Sequence, residues 1–160
     1  MTPELTGVDD SGFLADLKPL ERVVAYHTVG MVDPLVAADQ SPDARHDDGL
    51  SETFKEVIAT YGTRHFTIKI TGNADEDTER LTRVAETLYT TADAFVTGID
   101  GNEQYDSEDS VLTLFDRLEE LSNPALRRFL ASTIYIEQPI NRDVSLDVRV
   151  YGIAKYAPLI

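Results

Sequence analysis

Four side chains of the types used in acid–base and metal chemistry follow β-rich segments of this chain. In chain order they are Lys69, Asp100, Asn102 and Glu137. Catalytic groups of parallel β/α arrays gather at the carboxyl ends of the strands. A lone charged residue there is usually a solvated residue at the rim of the sheet. Three successive segments that end in this way are harder to explain by solvation, so we expect one shared site.

Asp100 and Glu137 supply hard oxygen ligands of the kind that suits Mg²⁺. On neighbouring strands the two carboxylates would lie roughly 5 Å apart, which is the usual spacing between strands. Unpaired carboxylates at that separation repel each other unless a cation lies between them. Lys69, on the adjacent strand, could then act as a general base, because a nearby Mg²⁺ disfavours its ammonium form.

Alternating strand and helix patterns predict the scaffold that positions these residues. The predicted strands are 23–29, 65–70, 94–99 and 133–136, and residues 158–160 could open a fifth. The predicted helices run from the N-cap Ser51 to Tyr61, over 75–88, from the N-cap Ser107, from Pro124 to near Leu130, and over 145–156. Strands and helices that alternate in this way indicate parallel strands joined by crossover helices.

Composition excludes several classes of function. The net charge of −15 argues against nucleic acid and anionic membrane surfaces as partners, since both are bound through Lys and Arg. The sequence has no cysteine, which excludes disulfides, thiolate zinc sites and thiol nucleophiles. It has neither a transmembrane-length apolar run nor a signal-peptide pattern, so a cytoplasmic location is expected. The acidic surface indicates a soluble, self-repelling chain, with adaptation to high salt as the alternative.

Three strings on successive predicted strands resemble a known family. HFTIKITG, GIDGNEQY and YIEQPI, in this order, resemble the mandelate racemase and muconate lactonizing branch of the enolase superfamily. The resemblance runs from about Val23 to the end and is strongest from Arg64 to Ile140. It implies an (αβ)-barrel with a capping domain. It also implies Mg²⁺, held by three carboxylates, that stabilises the enediolate formed when a base removes the proton α to a carboxylate.

The resemblance also implies roles for single residues. Lys69 matches the second Lys of the family's Lys-x-Lys motif, which is often the base, and Thr67 stands at the position of the first. Asp100 and Glu137 match the first and second metal ligands. Asn102 matches the Asn of the Asp-x-Asn motif. Thr67 and Asn102 are therefore expected to support the ligands or to contact the substrate.

His27 ends the first predicted strand, and two interpretations of it stay open. It could face the substrate, like the residues that end the other strands, or it could be a partly buried structural residue. A histidine in such a place is more often a partly buried structural residue, so the second interpretation is favoured, and His27 is kept as a candidate substrate contact.

We therefore expect an α/β fold of parallel β/α units, about half of a TIM-type (β/α)₈ barrel, over residues 22–160. Residues 1–21 are expected to be a remnant of a capping domain or a link from one. The expected function is that of a Mg²⁺-dependent racemase, dehydratase or cycloisomerase, acting on a small-molecule carboxylate. The chain is expected to lack the full active site, because the third metal ligand would follow a fifth strand.

Two alternatives to that function remain open. The chain could be a non-catalytic fragment that keeps the motif, or an acidic α/β binding or assembly module without metal chemistry. Self-association into a homo-oligomer is compatible with each of these functions.

Overall fold

Four parallel strands and the helices between them organise this protein. The computed structural model describes Gly7 and residues 9–46, 48–145 and 152–156. The strands are β1 (His27–Val29), β2 (His65–Lys69), β3 (Val96–Asp100) and β4 (Thr133–Glu137). The α-helices are α1 (Asp10–Ala15), α2 (Phe54–Tyr61), α3 (Ala74–Thr91), α4 (Glu108–Glu120), α5 (Pro124–Ala131) and α6 (Arg142–Ser145). Short 3-10 turns occupy Ala37–Asp39, Pro42–Ala44 and Gly152–Lys155. The predicted α/β fold with parallel β/α units is confirmed.

The strands lie in chain order, β1-β2-β3-β4, and each neighbouring pair is parallel. Each crossover therefore steps in the same direction across the sheet. Because crossovers between parallel strands are right-handed, such steps place all the connecting helices on one face. The other face, here called the open face, carries Thr28, His65, Thr67, Lys69, Val96, Gly98, Asp100, Tyr135 and Glu137.

The hydrophobic core lies between the sheet and the helices. Phe66, Ile68 and Ile99 project from the helix-covered face and are 0% exposed. Leu81, Val84, Ala85 and Leu88 form the predicted apolar stripe of α3, and all four are 0% exposed. Helix α3 packs against α4 and α5, so one continuous core joins the last three strands to these helices.

Polar caps set the helix ends largely as the sequence predicts. Ser107 caps α4, as predicted, and its hydroxyl accepts from the Ser110 amide at 3.3 Å. Helix α2 begins two residues later than predicted, because Thr53 rather than Ser51 forms a capping box with Glu56. It ends at Tyr61, as predicted, and the next residue, Gly62, has a φ of 62°, the left-handed conformation that glycine tolerates best.

The predictions fail mainly at the two ends of the chain. β1 begins at His27, not at residue 23, because its pairing with β2 extends only over His27–Val29. Val23 and Val24 are exposed and belong to no strand. Of the predicted helix over 145–156, Ser145 is the last residue of α6 and Gly152–Lys155 form a 3-10 turn. Residues 146–151 of that prediction lie outside the described residues. The predicted fifth strand, 158–160, lies outside the described residues.

The described helices also bear on membrane insertion. None of them is long and apolar enough to cross a membrane.

Candidate metal and acid–base site

Three of the predicted functional residues lie in one row across the sheet. Lys69 of β2 pairs in register with Asp100 of β3, and Asp100 pairs with Glu137 of β4. Register partners on adjacent strands project to the same face, so all three side chains belong to the open face. The row lies at the carboxyl ends of the strands, where sites of parallel β/α folds form.

Asp100 is the buried centre of this row. Its side chain is 5% exposed and forms an ion pair with the Lys69 ammonium, whose side chain is 27% exposed. Lys69 Nζ also donates to Asn102 Oδ1 at 2.8 Å. The Glu137 side chain is exposed at the neighbouring position. The structure thus brings Lys69, Asp100 and Asn102 into direct contact and places Glu137 beside them.

The turn after β3 holds the Asp100 carboxylate in place. The Asn102 backbone N–H donates to Asp100 Oδ1 at 2.9 Å. The Asn102 side-chain nitrogen Nδ2 donates to Asp100 Oδ2 at 3.3 Å. Asn102 and Glu103 adopt left-handed backbone conformations, with φ of 45° and 63°. Non-glycine residues adopt this conformation at an energetic cost, and such residues concentrate at functional sites. The local fold therefore fixes one carboxylate and aims it at the open face.

The turn after β4 packs directly against this turn. Gly101 N donates to the Glu137 carbonyl at 2.9 Å, and Glu103 N donates to the Gln138 carbonyl at 2.8 Å. A side chain at Gly101 would lie 2.8 Å from the Gln138 carbonyl oxygen, so only glycine allows this approach. Arg142 Nε lies 2.9 Å from both Glu103 carboxylate oxygens, and this hydrogen-bonded pair holds the pKa of Glu103 below its usual range.

A buried carboxylate that the sequence did not single out joins the loops after β2 and β3. Asp77, in the first turn of α3, is 0% exposed. It accepts from Thr71 N at 2.7 Å, Gly72 N at 3.0 Å and the Tyr105 hydroxyl at 2.7 Å. Burial, together with this bond to Asp77, raises the pKa of Tyr105 far above its usual value. Acidic residues in a first helical turn are common, so the sequence offers no signal that Asp77 is buried.

A layer of hydroxyl and aromatic groups lies directly below the row of charges. Thr67, Gly98 and Tyr135 are register partners, one layer from the strand ends. The Tyr135 ring lies over Gly98, where a β-carbon would collide with it. The Tyr135 hydroxyl and Thr67 Oγ1 are 2.5 Å apart. The predicted site residue Thr67 therefore contacts Tyr135 and forms part of the floor of the site. Sequence analysis did not single out Tyr135. The alternation Tyr135-Ile136-Glu137 is the signal that could have found it, because residues two apart in a strand lie on the same face of the sheet.

His27 is not brought to the other site residues. Its ring stacks on Phe54 at a centroid distance of 6.4 Å and meets the edge of Phe66 at 6.5 Å. Phe66 belongs to the core on the helix-covered face, so His27 lies on the side of the sheet opposite Lys69. This placement favours the structural interpretation of His27.

The donor set suits a hard divalent cation. Asp100 and Glu137 offer carboxylate oxygens and Asn102 offers an amide oxygen, which are the ligand types of Mg²⁺. The Lys69 ammonium already lies against Asp100 and Asn102, which shows that these oxygens favour a positive charge. Among the described residues, no group of three or more His, Asp or Glu side chains is arranged to hold a metal ion. Mg²⁺ bound here would therefore keep several water ligands.

Comparisons of the chain with protein-family models, with curated proteins and with solved structures found no match.

Proposed function

We propose that this chain carries one wall of a Mg²⁺-dependent site that removes the proton α to a carboxylate. The observation that carries the proposal is the single row Lys69, Asp100 and Glu137 on the open face. The row contains an amine, a buried carboxylate and an exposed carboxylate, which lie at the carboxyl ends of three adjacent strands. The resemblance to the mandelate racemase and muconate lactonizing branch of the enolase superfamily assigns the same three positions to this chemistry.

We also propose that the sheet is about half of a (β/α)₈ barrel. A doubly wound sheet reverses its strand order and has helices on both faces. This sheet runs β1-β2-β3-β4 without reversal, and its helices cover one face. Continued in the same sense, such units close into a barrel, with the open face turned inward. The polar side chains of that face would then line the interior of the barrel.

Each residue of the row has a distinct task under this proposal. Asp100 and Glu137 would hold the cation, and the Asn102 backbone N–H holds the Asp100 carboxylate in place. Mg²⁺, when bound, supplies positive charge for the substrate oxygens on which negative charge develops. Lys69 accepts the α-proton from the substrate carbon, after its ammonium group has released a proton to solvent. The expected substrate is a small carboxylate, and the reaction is a racemisation, dehydration or cycloisomerisation.

Titration of the chain with Mg²⁺ in a calorimeter tests the proposed metal site. The parent chain should bind Mg²⁺ weakly, because only two carboxylates are available. Asp100→Asn should abolish detectable binding, and Glu137→Gln should weaken it by about tenfold, since each variant removes an anionic ligand. Glu119→Gln removes an exposed charge on α4 and serves as the control, which should bind like the parent. Equal binding by the parent and Asp100→Asn would rule out the proposed site.

A second candidate function is an acidic α/β binding module without metal chemistry. The Lys69–Asp100 ion pair favours it, because the buried carboxylate already has a charged partner within the chain. Under this alternative the pair is structural, and the parent chain shows no Mg²⁺ binding in the same titration. A non-catalytic fragment that keeps the motif would instead bind Mg²⁺ without turning over any carboxylate.

A further inference from the structure

The Lys69 ammonium lies where a cation bound to Asp100 would lie. It forms the ion pair with Asp100 Oδ2 and donates a hydrogen bond to the Asn102 side-chain oxygen Oδ1, 2.8 Å from Nζ. The other oxygen, Asp100 Oδ1, is already bonded to the Asn102 backbone amide at 2.9 Å. Both oxygens of the buried carboxylate are thus engaged by groups of the chain itself.

We propose that Lys69 acts as an internal counter-cation, and that a divalent cation binds at Asp100 only by displacing it. This inference rests on the proposed function, because it presumes a cation site at Asp100. It adds a regulatory property: the lysine that serves as base is held against Asp100 until the cation arrives.

Asp100 and Lys69 differ in their freedom to move, and the more mobile side chain is the one that a bound cation displaces. Asp100 is buried and fixed by the turn that follows it, whereas the Lys69 side chain is 27% exposed and has a flexible four-carbon stem. A buried carboxylate left without a partner is strongly disfavoured, so Asp100 keeps Lys69 while no cation is present. When a cation takes its place, the ammonium can move over the open face toward the substrate side, where it must release a proton to solvent before it can act as a base.

The competition reduces the apparent affinity for the cation. A ligand that binds only the open form of a site binds more weakly in proportion to the fraction of molecules in that form. If the ion pair is closed in about nine molecules of ten, removal of the lysine should tighten binding by about tenfold. This expectation is specific, because removal of a residue that merely supports the site would weaken binding.

Calorimetric titrations with Mg²⁺ on the full chain test this inference. We expect Lys69→Met to bind Mg²⁺ about tenfold more tightly than the parent. Lys69→Gln should do the same, and it keeps hydrogen-bond donors near Asp100 and Asn102 if the methionine variant folds poorly. Lys55→Met removes the same charge from an exposed position on α2, and its affinity should stay within about twofold of the parent.

Thermal unfolding without added metal gives a second measurement. Lys69→Met should unfold at a lower temperature than the parent, because Asp100 loses its partner, and Mg²⁺ should raise its Tm by more than it raises that of the parent. If the parent binds Mg²⁺ and both Lys69 variants bind equally or more weakly, the displacement inference is wrong and the proposed function stands. If neither the parent nor the Lys69 variants bind Mg²⁺, the proposed function fails as well.

Discussion

Asp100 shows how a single residue in this site depends on its surroundings. Its position at a strand end, and the types of Lys69 and Glu137 on the neighbouring strands, could be read from the sequence. Its burial and its bond to the Asn102 amide could not, because they arise from a left-handed turn that no residue type in the loop demands. The burial of Asp77 could not be predicted for a related reason, since its partners are the Thr71 and Gly72 backbone N–H groups, the Thr71 hydroxyl and the distant Tyr105, which only the folded loops bring together.

The Tyr105–Asp77 bond should make the protein sensitive to alkaline pH. Because burial and Asp77 raise the pKa of Tyr105, the folded state holds the phenolic proton more tightly than the unfolded state. The stabilisation is complete below the unfolded pKa of about 10, and it is lost as pH rises above that value, by up to about 1.4 kcal/mol per pH unit. Tyr105→Phe should therefore flatten the fall of the unfolding free energy between about pH 9.5 and 11.5.

Chemical denaturation at a series of pH values measures this effect. Tyr61→Phe is the matched control, because Tyr61 is an exposed tyrosine at the end of α2 and 59% of its surface is accessible. The control should keep the pH dependence of the parent. If Tyr105→Phe retains the alkaline slope of the parent, the protonated Tyr105 hydroxyl does not stabilise the fold in this way.

The predictions of helices and strands succeeded where the sequence signals are local. The alternation in HFTIKI predicted that Phe66 and Ile68 face the core, the apolar stripe of α3 predicted its buried face, and Ser107 predicted the start of α4. Val23 and Val24 have strong β-propensity but remain unpaired, because β2 offers partners only to His27–Val29. Pairing is a property of two segments, so the hydrophobic pattern of one segment does not fix the length of a strand.

Mutation can test the close packing of the Tyr135 ring of β4 on Gly98 of β3. A methyl group at Gly98 collides with the ring, which lies across β3 to reach Thr67. Gly98→Ala should therefore displace the ring, break the hydroxyl contact and lower the unfolding free energy by about 1–3 kcal/mol. In a Tyr135→Ala background the same substitution should cost less than about 0.5 kcal/mol, because the collision is gone.

A double-mutant cycle by urea denaturation gives both values. The coupling should come from the ring itself, so Tyr135→Phe, which keeps the ring and removes only the hydroxyl, should leave Gly98→Ala nearly as costly as in the parent. Equal costs of Gly98→Ala in the parent and in the Tyr135→Ala chain would contradict the packing described here.

For the whole molecule, charge is the dominant feature outside the core. The chain has 29 acidic residues against 14 Lys and Arg. Several acidic side chains have nearby cations, among them Asp39 with Arg83 at 2.5 Å and Glu56 with Arg45 at 2.7 Å. The Arg45 hydrogen bond lowers the pKa of Glu56 to about 2. Such exposed pairs contribute little to stability and leave an excess of like charge, which opposes the compact state.

Salt should therefore stabilise the folded protein. Raising KCl from about 0.1 M to 1 M shortens the Debye length from about 10 Å to 3 Å, so it screens most repulsion between exposed carboxylates. We expect the unfolding free energy to rise by about 1–2 kcal/mol, which corresponds to roughly 3–6 °C in Tm. A variant with the exposed residues Glu79, Glu119 and Glu120 changed to Gln has less repulsion to screen, so its Tm should rise less with KCl. Thermal unfolding of both chains over a KCl series measures the two slopes. A Tm that falls with KCl in the parent would mean that the ion pairs outweigh the repulsion, and the surface charge would then be a source of stability.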